Sequence, residues 1–151
     1  MKKLRTTAAA AFFLSTVALQ TIAPARAADP NPLGTWLTAD KDSQVRITNC
    51  GGALCGALAW LKQPNDSATG RPLTDKNNAD VTKRSRPLLG VQIILGMKPS
   101  GTNQWSGNLY NAEDGRTYTG AFTLTGPGTA ELKGCVLGGL ICKSQTWTRV
   151  N

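Results

Sequence analysis

From Gly34 to Val150 the chain is a series of short runs rich in β-branched and aromatic residues, each cut off by Gly, Pro, Asn or Asp. No segment sustains the apolar period of about 3.6 residues that an amphipathic helix needs, so the pattern reads as strands. The runs predict strands near Gly34–Thr38, Ser43–Cys50, Leu54–Leu61 and Leu89–Leu95. Four more follow near Gln104–Asn111, Arg116–Leu124, Thr129–Leu137 and Leu140–Val150. Glu113-Asp114-Gly115 and Gly126-Pro127-Gly128 are tight hairpin turns, and Pro99-Ser100-Gly101-Thr102-Asn103 is a slightly longer one. Eight strands on short turns make an up-and-down meander, and closing a meander into a barrel removes its exposed edges. The expected fold is therefore all-β, an eight-stranded antiparallel up-and-down barrel.

The segment ahead of these runs has a different composition. Met1-Lys2-Lys3-Leu4-Arg5 is a basic start, Ala8 to Ala23 is apolar, and Ala25-Arg26-Ala27 places small residues where a signal peptidase reads. The apolar run holds Ser15, Thr16 and Gln20 and breaks at Pro24, a poor transmembrane span. Residues 1–27 are read as a cleaved signal peptide and residues 28–151 as a single domain, which predicts a periplasmic or secreted protein with no stable membrane anchor. The leader carries Lys2, Lys3, Arg5 and Arg26 and no acid, so the charge of the rest falls from +8 to 13 − 9 = +4. Lys83-Arg84-Ser85-Arg86 is its densest basic cluster, too little for a nucleic-acid footprint.

An exported chain keeps its thiols oxidised, so the four cysteines read as two disulfides. Cys50 and Cys55 flank one Gly-Gly turn and Cys135 and Cys142 another, so each pair could staple its own hairpin. Crossed pairing between the hairpins is the rival, and spacing alone leaves it open.

Lys62 to Pro87 is long, polar and interrupted by Pro64, Pro72 and Pro87. Such a connector either does work, here by capping one barrel mouth with a short helix near Ala79–Arg84, or is a solvated loop. The strand faces hold a second ambiguity. Alternate residues give Leu54, Gly56, Leu58, Trp60 on one strand and Trp105, Gly107, Leu109 on another. Tyr118, Gly120, Phe122, Leu124 and then Leu132, Gly134, Val136 repeat the pattern, each face with a central Gly. Those glycines either let coiled strands bend or leave a cavity lined by aromatics.

Several chemistries are excluded. The chain has no His, and oxidised cysteines are neither nucleophiles nor zinc ligands, so Ser-His-Asp, Cys-His and zinc sites are not expected. No phosphate-cradling Gly-rich motif appears. Asp75, Asp80, Glu113 and Asp114 are the carboxylates that could pair for glycosidase-type work, but acids in turns serve turn geometry first. Asp75-Lys76-Asn77-Asn78-Ala79-Asp80 lacks the Gly and the distal Glu of a calcium loop. No catalytic residue, cofactor or metal is expected.

Trp36 in the first strand and Arg149 in the last become neighbours if the barrel closes. Arg149 then lies across the Trp36 ring, a cation–π clasp of about 0.5–2 kcal/mol. This Gly34-Thr35-Trp36 start with a terminal Arg149 resembles the lipocalin-like (calycin) superfamily. A closer resemblance spans Gly34 to Val150. Its ordered motifs begin with Cys50-Gly51-Gly52-Ala53-Leu54-Cys55-Gly56, Asp75-Lys76-Asn77-Asn78, Arg86-Pro87-Leu88-Leu89-Gly90 and Trp105-Ser106-Gly107. They continue with Asp114-Gly115-Arg116-Thr117-Tyr118, Gly134-Cys135-Val136-Leu137-Gly138 and Gln145-Thr146-Trp147-Thr148-Arg149. The set resembles the bacterial exported domain-of-unknown-function family 2147, which implies a lipocalin-like barrel and no particular reaction.

The functional expectation is a binder rather than an enzyme. A small apolar or amphipathic ligand would sit inside the barrel against Trp60, Trp105, Tyr118 and Phe122, with Tyr110 and Arg86 as polar contacts at a mouth. The alternative is an envelope interaction module, its barrel filled and a protein or glycan bound through residues 62–87.

Overall fold

The structure, a computed structural model, describes residues 31–150; the leader read at residues 1–27 lies outside the described residues. Eight strands follow one another: β1 Gly34–Leu37, β2 Ser43–Asn49, β3 Leu54–Leu61, β4 Gln92–Gly101, β5 Gln104–Asn111, β6 Arg116–Gly126, β7 Thr129–Val136 and β8 Ile141–Val150. Each pairs antiparallel with the next, and β8 returns to β1 to close a barrel. β4 starts at Gln92 rather than Leu89. The preceding residues are taken up by a turn in which Val91 N–H donates to the Leu88 carbonyl at 3.1 Å. β4 then runs on through Pro99, where the register shifts by a bulge that tolerates the missing donor.

The up-and-down order gives the barrel two distinct ends. The start of β1, the β2–β3, β4–β5 and β6–β7 turns and the end of β8 gather at one, the clasp end. The β1–β2, β5–β6 and β7–β8 turns and the 62–87 connector gather at the other, the loop end. Cys50–Cys55 staples the β2–β3 hairpin and Cys135–Cys142 the β7–β8 hairpin, so pairing is local and not crossed.

The clasp forms as expected. Trp36 pairs directly with Arg149, whose guanidinium lies 4.3 Å from the Trp36 ring centroid. Arg149 also donates to the carbonyls of Leu33 (2.7 Å), Asn31 and Pro127. Gly34 has φ +128°, and a Cβ there would lie 2.8 Å from the guanidinium, so this strand must start on glycine.

Above the clasp the interior is packed. Phe122 has its ring centroid 5.4 Å from Trp36, 6.2 Å from Trp147 and 6.4 Å from Trp105. The mid-strand glycines add to this packing. A Cβ on Gly56 would meet Ile94 and Val45 at 3.1 Å, and one on Gly107 would lie 2.9 Å from the Met97 backbone. The volume these glycines give up is thus taken by neighbouring side chains.

One strand face departs from its reading. Leu54, Gly56 and Leu58 point inward, but Trp60 is 41% exposed and lies outside the core. Val45 pairs with Leu58 while the adjacent Gln44 pairs with Trp60, so Ala59 is an extra residue in β3. Such a bulge reverses which face the following side chains take. Leu61, one residue on, packs against the core in the place that alternation assigned to Trp60.

Candidate functional site

The expected site residues fall in two places, on opposite faces of the barrel wall. The first is the 62–87 connector, which is an ordered lobe. Asn65 bridges Pro72, Thr74 bridges Pro87, and Leu88 N–H donates to the Leu73 carbonyl at 2.8 Å. The expected short helix is a 3₁₀ turn, Val81–Lys83, capped by Asp80, which accepts from Thr82 N–H.

This lobe is fastened to the wall by one carboxylate. Asp75 is 0% exposed. It accepts the Tyr110 hydroxyl on Oδ1 at 2.5 Å, and on Oδ2 it accepts Asn78 Nδ2 at 2.7 Å and Arg86 Nε and Nη2 at 3.0 and 2.7 Å. Asn78 Nδ2 also donates to Tyr110 Oη at 2.9 Å. Beside this network Asn77 donates to the Glu113 carbonyl at 2.7 Å, so the lobe also grips the β5–β6 turn. A Cβ on Gly115 would lie 1.7 Å from the Asn77 carbonyl oxygen, and Gly115 has φ +71°. Only glycine fits both the turn and the contact.

Tyr110 follows the buried Leu109 on β5, so it stands on the barrel's outer face. The lobe therefore docks against the outside of the wall and does not cross the barrel opening. The structure brings Tyr110 and Arg86 together, but as two arms of the Asp75 network. Between lobe and wall lies an open cleft of about 400 Å³, where Lys83, Gln92, Leu95 and Thr117 line the space beside Arg86 and Tyr110. That volume is within the range of small-molecule sites.

The charges here are fixed rather than poised. Burial pushes the Asp75 carboxyl up, but the hydrogen bonds from Tyr110, Asn78 and Arg86 and the guanidinium charge outweigh it and hold the carboxyl below its usual range. Burial, the hydrogen bond to Asp75 and its charge push the Tyr110 hydroxyl up to about 12. The Thr82 hydroxyl and N–H, then Lys83, hold Asp80 low. Burial raises Asp114, but hydrogen bonds from Tyr118 and the Arg116 N–H, with the Arg116 charge, hold it low.

The second place is the interior at the loop end. β8 pairs with β1 only from Thr148 to Val150, because β1 is four residues long. Among the described residues, Ile141 to Trp147 pair with β7 alone. Trp147 is 1% exposed and points inward, and Ile141, Lys143 and Gln145 alternate onto the same face with no register shift. Gln145 confirms the direction, since its Oε1 accepts the Trp147 indole N–H at 3.1 Å. Yet Ile141, Lys143 and Gln145 are all exposed. The barrel is thus filled at the clasp end, while beside β8 at the loop end the inward-facing side chains reach solvent. Leu58, Leu109 and Leu132 lie just beneath the surface there, with Tyr118 and Val136 partly buried on the same inward face.

The four expected lining aromatics divide accordingly. Phe122 is fully buried and Trp105 packs on it, so both belong to the filled half. Trp60 is turned out by the bulge, and Tyr118 stands at the loop end, its hydroxyl donating to Asp114 Oδ2. Lys143 and Gln145 were missed by the sequence reading. The signal that could have found them is their spacing of four and two residues from Trp147, the period of one strand face.

Residues 34–149 match the family described as "Uncharacterized protein conserved in bacteria (DUF2147)". A solved structure, protein HP1028 from the human pathogen Helicobacter pylori, which belongs to the lipocalin family, is similar to this chain with a TM-score of 0.68. The two are 23% identical over 80% of this chain and 84% of that one. Among curated proteins none matches.

Proposed function

The chain belongs to the DUF2147 family, and from that premise and its lipocalin-like barrel we propose that it is an exported small-ligand-binding protein. Its ligand sits in the open half of the barrel interior, at the loop end. One observation carries this reading: the inward face of β8 is exposed from Ile141 to Gln145 and sealed at Trp147, the next residue on that face. Leu109, Leu132 and Leu58 supply an apolar floor, and Tyr118, Val136 and Ile141 supply walls. Lys143 brings a cation to the same space, so the ligand is amphipathic with an acidic or hydrogen-bond-accepting end. An inward Lys on a partly unpaired strand also discourages a foreign strand from pairing there. Export is supported by the leader's composition and by the two disulfides.

We read the protein as a binder and not an enzyme because Asp75, Asp80, Asp114 and Tyr110 are each held by hydrogen bonds to their neighbours. General acids and bases work best with a pKa near the operating pH. Here Asp75, Asp80 and Asp114 are driven down and Tyr110 up, away from neutrality.

Gly134 offers the test. A Cβ there would meet Leu109 at 3.5 Å and Tyr118 at 3.8 Å, ordinary contact distances, so a larger side chain would project into the open half. Binding of 1-anilinonaphthalene-8-sulfonate, an amphipathic anion, is measured by fluorescence on the mature chain and on Gly134→Phe. The expected result is at least a tenfold loss at an unchanged melting temperature, with a weaker loss in Lys143→Met. Undiminished binding in Gly134→Phe would remove the ligand from the interior. A second reading, a protein or glycan partner held by the 62–87 lobe, is favoured by the cleft beside Arg86 and Tyr110. It predicts that Lys83→Ala and Gln92→Ala, not Gly134→Phe, abolish binding.

A further inference from the structure

The β7–β8 turn carries three large aliphatic side chains in water. Leu137 is 68% exposed, Leu140 85% and Ile141 58%. They form the tip of a hairpin that reads Lys133-Gly134-Cys135-Val136-Leu137-Gly138-Gly139-Leu140-Ile141-Cys142-Lys143. A lysine stands at the base of each arm and no acid lies between them. Along the hairpin itself the first acid behind the tip, Glu131, is two residues beyond Lys133. On the adjoining strand Arg116 is exposed at the same end of the sheet, where the β5–β6 turn also carries Glu113 and Asp114, the latter bound by the Arg116 N–H and the Tyr118 hydroxyl. Leu137 adopts φ +51°, a strained choice for a leucine, and it gains no burial in return.

We propose that this tip docks reversibly on an anionic lipid surface, the aliphatic side chains entering the acyl boundary and the outward Lys133 with Arg116 meeting the headgroups. Three observations favour lipid over a protein partner. Leu137 and Leu140 sit on a turn beyond the last pair of the ladder, Val136 with Ile141. A stable protein interface needs roughly 800 Å² from each partner, which one turn cannot offer. The basic flanks match a negative surface, with lysine stems able to lie along the apolar boundary. Finally, the Cys135–Cys142 bridge fixes the tip before binding, so little ordering is needed on contact. Ile141 also lines the open barrel half, so docking would set the barrel opening against the bilayer. The docking itself stands whether or not the interior holds a ligand.

The test is co-sedimentation of the mature chain with vesicles of phosphatidylglycerol and phosphatidylethanolamine, against vesicles of phosphatidylcholine alone. Binding is expected to the anionic vesicles and at least tenfold weaker to phosphatidylcholine, and to fall steeply with added salt. Leu140→Asp and Leu137→Asp should each lose more than tenfold. Lys133→Gln and Arg116→Gln should each lose about fivefold. These side chains are exposed, so melting temperatures should stay unchanged, and a tip variant that melts early is replaced by Leu140→Ser. Equal binding of the Asp variants, or no binding of the parent chain, overturns the proposal. So does a dimer in sedimentation velocity that Leu140→Asp dissolves without any vesicle binding, which would assign the tip to a second copy of this chain.

Discussion

Replacing Asp75 by Asn keeps the side chain's shape and removes the charge on which Tyr110, Asn78 and Arg86 converge. Removing one partner of a fully buried pair costs about 3–5 kcal/mol. The Arg86 side chain is 39% exposed and can regain water, so the lower end applies, and Asn can still accept from Tyr110. The expected loss is about 2–3 kcal/mol. It should fall on the docking of the lobe, because the network joins residues 75–86 to β5 and is not part of the barrel ladder. A local loss of that size speeds opening by roughly 30- to 150-fold. Hydrogen exchange read on peptides covering 62–87 should show this, with β6 and β7 nearly unchanged. The pH dependence follows from the same contacts. Asp75 is held below its usual 3.8, so its contribution is present above that pH and lost as pH falls through the lower folded value. Tyr110 is raised from 10.0 to about 12, so its contribution is present below pH 10 and lost as pH rises toward 12. Lobe protection should be flat between those limits, and Asp75→Asn should shrink the acid limb to what Asp66 and Asp80, also held low within the lobe, contribute. Less than a threefold change in exchange over 62–87 would refute this account of how the lobe is held.

Other outcomes can be read on the same protein. Gly115→Ala places a Cβ onto the Asn77 carbonyl at φ +71° and should undock the lobe as strongly as Asp75→Asn, seen as new proteolytic cuts within 62–87. Arg149→Leu removes the cation–π contact and the bonds to Leu33, Asn31 and Pro127, and should lower stability by about 3 kcal/mol by urea titration. A red shift of Trp36 emission should accompany it, and an unchanged urea midpoint would count against the clasp. Cys50→Ser with Cys55→Ser opens a six-residue loop and should cost about 2 kcal/mol; Cys135→Ser with Cys142→Ser should cost slightly more for its longer loop.

Most of the frame was legible because it depends on local chemistry. Alternation and turn residues placed eight strands, and neighbouring Gly-Gly turns favoured local disulfides over crossed ones. Trp36 and Arg149 met because any closed meander brings its first and last strands together. Trp60 was misplaced for a reason equally local but silent in composition: the bulge at Ala59 changes the phase of β3 without any Gly or Pro to announce it.

Other features needed the folded molecule. Asp75 finds Arg86 and Tyr110 at separations of 11 and 35 residues, and no periodicity links them. Nor does alternation say whether an inward face is filled. The same pattern buries Trp147 and leaves Lys143 and Gln145 in water, because β1 is too short to cover the far half of β8. By itself, then, the sequence determined a closed β-meander and which of its residues could face inward, since pleating and turn geometry act between near neighbours. Where that inward face is packed and where it reaches solvent was decided by the relative lengths of strands that meet only when the barrel closes.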